Sequence, residues 1–168
     1  MRIVRPCGFT LVELLIVIVI IAVLATIAAP NLRDLLKRNS VASHANELVA
    51  LVTFARSEAV RRSAIIDLEL SSLTGGWTAT TRVRESGTDL RATTKTGVDL
   101  MLIDGPTDLA FNSRGYLVDP GNPTTWQAGG ISITLRHPDC TTAFHIREIK
   151  IRATGQVEGG YDPDMECN

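Results

Sequence analysis

The chain has 168 residues, with 17 Lys and Arg against 18 Asp and Glu, for a formal charge of −1. That balance argues against a general nucleic-acid binder, although a local patch can still bind. The length allows one membrane-helix stem plus one small domain, and 5% aromatics with 13 glycines suit a β-rich domain with many turns.

Met1–Gly8 is short and carries two arginines, Arg2 and Arg5. Phe9–Ala29 follows, an apolar run interrupted only by Thr10, Glu13 and Thr26. As a helix it extends roughly 31 Å, enough to span the hydrocarbon core. The arginines ahead of it hold the N-terminus in the cytoplasm. An acidic residue at the centre of a membrane helix costs about 2.5–3.5 kcal/mol, and less near an interface. Glu13 therefore needs a partner and is a functional candidate. A cleaved secretory signal would place small residues after its apolar core. Ala25-Thr26-Ile27 and Ala28-Ala29-Pro30 fit superficially, but Glu13 inside the core speaks against it. A plain anchor has no use for Gly-Phe-Thr-Leu-Val-Glu.

Gly8-Phe9-Thr10-Leu11-Val12-Glu13-Leu14 resembles the class III signal of type IV pilins and secretion pseudopilins. The resemblance implies that a prepilin peptidase cuts between Gly8 and Phe9 and methylates the new amine. Glu13 becomes the fifth mature residue, the filament-assembly glutamate. Its carboxylate would pair with the Phe9 amine of a neighbouring subunit, neutralising both charges in a low-dielectric core. The alternative is a carboxylate lying unpaired near the headgroups. Pro30 also matches, at a frequent helix-bending position; it removes one helical hydrogen bond.

After Pro30 a helical stripe resumes: Val41, Ala45, Leu48, Val52, Ala55 and Ala59. Arg38, Glu47, Ser57, Glu58, Arg61 and Arg62 are assigned to the opposite face. Glu58 and Arg62 stand four apart in the favourable order. Such a stripe can form a coiled coil, but packing on the domain's own sheet is the commoner use and is the expectation here. Phe54–Val60 contains Ala-Arg-Ser-Glu-Ala-Val, a string similar to the helix end of the FimU/FimT/GspH group.

From Ala64 the period becomes two. Ile66, Leu68 and Leu70 alternate with Asp67 and Glu69, and Trp77, Ala79, Thr81 and Val83 alternate with polar residues. Val98-x-Leu100-x-Leu102, Ile131-x-Ile133-x-Leu135 and Ile149-x-Ile151 follow. These patterns predict half-buried strands with one wet face. Gly75-Gly76, Ser86-Gly87, Gly105-Pro106, Arg114-Gly115, Gly121-Asn122-Pro123 and Gly129-Gly130 are the turns between them. Asp119–Gly130 reads as an exposed loop and 159–168 as a tail.

Cys7 would leave with residues 1–8. Cys140 and Cys167 remain, a pair in a segment outside the cytoplasm, where a disulfide is the expectation. A metal site on His137, Cys140, His145 and Cys167 is the alternative, but its spacing matches no common zinc pattern. No catalytic constellation surrounds His44, His137 or His145, and no phosphate-binding loop is present. No enzymatic activity, metal or cofactor is expected.

Ile149–Glu158 resembles the last hairpin of FimT-type minor pilins. DNA-binding members of that group carry Gly-Arg-x-Arg where this chain has Gly155-Gln156-Val157-Glu158. Two phosphate-pairing cations are missing and one repulsive charge is present. Arg82, Arg84, Arg91 and Lys95 remain, with Lys150 and Arg152, as a candidate basic patch. The interspersed aspartates favour a mixed solvated surface instead.

The expected fold is α+β and pilin-like, a long N-terminal helix on a C-terminal antiparallel β-sheet or sandwich. Its segments are residues 1–8 (cleaved leader), 9–29 (transmembrane and filament-core helix), 30–62 (amphipathic helix) and 63–168 (β-rich head closed by the disulfide). The resemblance implies a minor pilin that primes or caps a type IV pilus, with twitching motility as its readout. Its partners would be other minor pilins and the major pilin through the N-terminal helix, the prepilin peptidase and an inner-membrane assembly platform. The head would lie in the periplasm. A type II secretion pseudopilin and a DNA-binding competence pilin are the alternatives.

Overall fold

The computed structural model describes residues 9–73, 76–96 and 102–167. Gly8, Arg2, Arg5, Cys7, Gly75, Val98 and Leu100 lie outside them. One helix, α1 (Leu11–Arg62), is 52 residues long and crosses between two compact units, the first ending at Leu36 and the second beginning at Lys37.

In the first unit α1 begins after Thr10, whose Oγ1 accepts the Glu13 N–H at 3.2 Å. Thr10 is thus the N-cap, and Glu13 three residues later occupies the acidic position of a capping box. Beyond it, every large apolar side chain from Leu11 to Leu36 is exposed, and the most apolar stretch has a mean hydropathy of 3.1. Helical structure continues through Pro30. The Asn31 amide donates to the Ile27 carbonyl at 3.3 Å beside it. In such a turn proline withdraws a backbone donor.

In the second unit the same helix has a buried face. Val41, Ala45, Leu48, Val52, Ala55 and Ala59 are buried as the spacing predicts, joined by Leu51. The helix stops in a Schellman arrangement: the Ala64 N–H reaches the Ala59 carbonyl at 3.2 Å, with Ser63 at φ 52°.

Two antiparallel sheets complete this unit. The first contains β1 (Ile66–Leu73), β2 (Gly76–Val83), β3 (Thr88–Thr96), β5 (Asp108–Phe111) and β6 (Leu117–Val118) in the order β3-β2-β1-β5-β6. The second contains β4 (Leu102–Asp104), β7 (Ile131–Arg136), β8 (Ile146–Ile151) and β9 (Val157–Gly160) in the order β4-β7-β8-β9. Trp77, Phe111, Leu48, Leu51, Ile133, Leu135 and Ile149 meet in one core that joins the helix to both sheets.

Strands β1, β2, β7 and β8 fall where the alternation predicts. Two others have weak signals. β3 is an edge strand and mostly exposed, so no apolar alternation marks it. In β5 the consecutive residues Leu109, Ala110 and Phe111 are all buried between neighbouring strands, which erases period two. One assignment is corrected: Glu58, expected on the wet face of the helix, is buried. Its neighbours on α1 explain why this is tolerated, as the next section shows.

Candidate functional site

Phe9 and Glu13 sit at the bare end of α1. Phe9 is 78% exposed, and Glu13 lies in the first helical turn, where the partial positive charge of the helix end favours a carboxylate. The Glu13 backbone N–H donates to the Thr10 hydroxyl. Gly8, the other half of the expected cleavage site, lies outside the described residues.

Cys140 and Cys167 are disulfide-bonded, with Cα atoms 5.5 Å apart. This removes both thiolates from the alternative metal set. His137 and His145 are buried but turn their Nδ1 atoms to backbone N–H groups of Asp139 (3.0 Å) and Thr141 (3.3 Å). Among the described residues no group of three His, Cys, Asp or Glu side chains could hold a metal. His44 has a structural use as well: its Nδ1 accepts the Trp77 indole N–H at 3.3 Å.

The candidate basic patch divides between two faces. Arg82 sits between Asp89 (2.6 Å) and Glu69 (3.4 Å), and the first of these raises its pKa most. Arg84 grips Asp67 through both Nε and Nη2. Strand β2 pairs Arg82 with Asp89 but Thr81 with Arg91, so Leu90 is an extra residue in a bulge. Arg91 therefore follows buried Thr81 towards the helix, where its guanidinium lies 5.6 Å from the Phe54 ring centroid. Lys95 reaches the same helix at Glu47, 3.0 Å away. Arg82, Arg84 and Lys95 are held in intramolecular ion pairs, whereas Arg91 lies over a phenyl ring.

The β8–β9 hairpin holds the positions compared with Gly-Arg-x-Arg. Gly155 has φ +74°, and an added Cβ would stand 2.1 Å from the Gly115 carbonyl, so only glycine fits. Gln156 and Glu158 are exposed on one face, and Val157 between them is half buried. Glu158 pairs with Arg152 at 2.8 Å. Both positions thus face outward, one with a neutral side chain and one with an acidic one.

Two helix residues do more than the sequence reveals. Arg56 donates from Nε to the Gly115 carbonyl at 3.1 Å and packs beside Gly155. One side chain thus clamps a turn of the first sheet to the hairpin of the second. Glu58 accepts from Arg61 (2.5 and 2.9 Å) and Arg62 (2.6 Å). Those bonds outweigh its burial and hold its pKa down at about 2, which is how a carboxylate can be buried here. Both residues belong to the Ala-Arg-Ser-Glu-Ala-Val string.

A helix bare and apolar in its first part, and packed on antiparallel sheets in its second, defines a pilin-type structural subunit. Comparison with known proteins agrees. The family model described as Type II transport protein GspH matches residues 44–155, and the prokaryotic N-terminal methylation motif matches residues 5–29. A fimbrial protein of Pseudomonas aeruginosa is 42% identical over 59 residues, 35% of this chain and 38% of that protein. The chain thus spans well under half the length of that relative. Two crystal structures of the type IV minor pilin FimU from P. aeruginosa PAO1 share the fold. One gives a TM-score of 0.53 at 24% identity, covering 72% of this chain and 88% of the other. The second gives 0.50 at 23% identity, covering 71% and 92%. The chain belongs to the GspH family and carries the prokaryotic N-terminal methylation motif.

Proposed function

We propose that this protein is a minor pilin that joins a priming or tip complex of a type IV pilus, with a structural and non-enzymatic role. One observation carries the reading: a helix that exposes all its large apolar side chains from Leu11 to Leu36, with a carboxylate, Glu13, in its first turn. Such a surface is satisfied by lipid before assembly and by other helices after it. In this reading the peptidase cuts between Gly8 and Phe9. The chain then sits in the inner membrane with residues 63–168 as a periplasmic head. Pro30 marks the end of the membrane-spanning part, and Glu13 meets a neighbour's Phe9 amine during extraction into the fibre. The fimbrial relative supports a pilus.

The second reading is a minor pseudopilin of a type II secretion system. The description of the matching family favours it. Co-purification from native membranes separates the two. Recovery of major and minor pilins supports the pilus reading, and recovery of secretion pseudopilins alone replaces it. Mass spectrometry of the mature N-terminus tests the shared foundation. N-methylated Phe9 is expected, and a terminus near Ala29 would sink both readings.

A further inference from the structure

The second unit has two ends, and each carries a stacked aromatic pair. The chain enters this unit at Lys37 and Arg38, which meet the loop closed by the disulfide. The Lys37 ammonium lies 3.6 Å from the Asp139 carboxylate, and the Arg38 guanidinium lies 4.3 Å from the Phe144 ring. Arg56, which holds the Gly115 and Gly155 turns, comes 19 residues later, roughly 28 Å farther along α1. At the entry end Phe144 and Tyr161 stack with centroids 4.8 Å apart and planes 3° from parallel, and both are about two-fifths exposed. At the far end Trp126, half exposed, stacks 4.6 Å from Tyr116, the neighbour of Gly115.

The two pairs differ in their surroundings. At the entry end an arginine flanks each ring, because the Arg147 guanidinium lies 5.4 Å from Tyr161 as Arg38 lies over Phe144. Pro138, Asp139, Thr141 and Thr142 beside them are exposed. Tyr161 is fixed there because its segment is tied back by the Cys140–Cys167 disulfide. Charge at this end is close to balanced, with Lys37, Arg38 and Arg147 against Asp139, Asp162, Asp164 and Glu166. Amphipathic rings among arginines and lysines are the composition that lies at the headgroup level of a bilayer. A balanced set of charges suits a zwitterionic headgroup, whose phosphate meets an arginine and whose amine meets a carboxylate. It gains nothing from the negative potential of an anionic leaflet. Covalent reach supplies the occupant: the apolar run ends at Ala29, eight residues before Lys37, and eight residues extend at most about 28 Å in any conformation.

We propose that the entry end of the second unit rests on zwitterionic phospholipid headgroups through Phe144 and Tyr161, with the Trp126 end held away from lipid. The assignment rests on the membrane-anchored reading above. It gives the disulfide a use beyond stability, since the bond holds one of the two rings at that surface.

The test uses the full chain in phosphatidylcholine vesicles whose acyl chains are brominated near the headgroup, because bromine quenches tryptophan on contact. The wild type supplies its own control in buried Trp77 and far-end Trp126. Bromination should leave wild-type emission unchanged. Phe144→Trp and, separately, Tyr161→Trp keep an aromatic ring in the stack, and the emission each adds should fall at least twofold. Replacing part of the lipid with anionic phosphatidylglycerol should not deepen the quenching. If the chain floats with the vesicles but neither reporter is quenched, the headgroup assignment falls while the membrane-anchored reading stands. Quenching that requires the anionic lipid, or that is equally strong in the wild type, overturns the assignment too. If the chain does not float with the vesicles, the membrane-anchored reading falls and takes the assignment with it.

Discussion

The two parts of α1 are chemically related and behave oppositely. From Leu11 to Ala29 the helix is apolar all round but for Glu13 and Thr26, and none of the large apolar side chains as far as Leu36 is buried. From Val41 to Ala59 most of the apolar residues sit on one face, and that face is buried in the core shared with the two sheets. The difference shows how periodicity assigns a partner. An apolar stripe is complementary to something on one side, and the chain supplies it. An apolar cylinder has no preferred side, so its partner must surround it, as lipid does or as a bundle of other helices does. The polar residues follow the same division. Glu58 has both its arginines on the same helix, whereas Glu13 finds on its own helix only the Thr10 hydroxyl for its backbone N–H.

The largest expected effect breaks the first region alone. Glu13→Val makes the helix more apolar, so membrane insertion should persist. Incorporation into the filament or tip complex should fall to background, because a neighbour's amine loses its counter-charge. The second region should melt unchanged. Normal incorporation, measured by co-purification with filament subunits, would remove Glu13 from the assembly role and leave it as a capping residue.

Next in size, Cys167→Ser acts only on the second region. The disulfide joins residues 27 apart, and in the chain-entropy model a loop of that length contributes about 3–4 kcal/mol. Thermal unfolding should shift down by many degrees while N-terminal processing stays normal. An unchanged melting temperature would show that the tail is held by its packing, such as Tyr161 on Phe144, rather than by the bond.

Glu58 gives a smaller effect with a defined pH window. Its folded-state pKa is about 2 against an ordinary 4.5, lowered first by the hydrogen bond from Arg61 and then by that from Arg62. A depressed carboxylate pKa stabilises the fold above the unfolded value and loses that contribution as pH falls from about 4.5 towards 2. Glu58→Gln should cost on the order of 1–2 kcal/mol at neutral pH, the scale of a charge-assisted hydrogen bond. The gap between variant and wild type should close as the pH drops through that window. A gap that is constant from pH 7 to pH 2 would show that ionisation of Glu58 contributes nothing.

The sequence made the division between the regions plain for a physical reason. The apolar run with its single carboxylate and the helical stripe are local patterns, and each states its partner by period. Strands β1, β2, β7 and β8 were legible because one face of each is wet. β5 was not, because Leu109–Phe111 is covered on both faces. Glu58 was misplaced because helical spacing says where a side chain points but not whether Arg61 and Arg62 will cover it. The basic patch was illegible for a further reason. The bulge at Leu90 sends Arg91 to the helix side of the sheet, away from Arg82 and Arg84, and no residue pattern announces that slip. Arg56 escaped because its partners, the Gly115 carbonyl and Gly155, are remote in sequence.

The smallest expected effect asks whether the second region has a binding role of its own. Gln156 and Glu158 project outward from the β8–β9 hairpin, where DNA-binding relatives of this group carry arginines. Glu158 also occupies Arg152. Gln156→Arg with Glu158→Arg adds two cations, removes one anion and releases a third cation beside them. The fold should not notice, because the Arg152–Glu158 pair is exposed and such pairs are worth about 0–1 kcal/mol. Wild-type protein should bind duplex DNA no better than the generic level of roughly 10⁻⁴–10⁻⁶ M near physiological salt. The double variant should bind several-fold tighter, and its affinity should fall more steeply with salt, by up to about 0.9 in log–log slope per added phosphate contact. A salt series of titrations on both proteins decides it. Tight wild-type binding that disappears on neutralising Arg82, Arg84 and Arg91 would mean that their carboxylate partners yield to phosphate. The second region would then be a nucleic-acid receptor carried by the first, and not only the head of an assembling subunit.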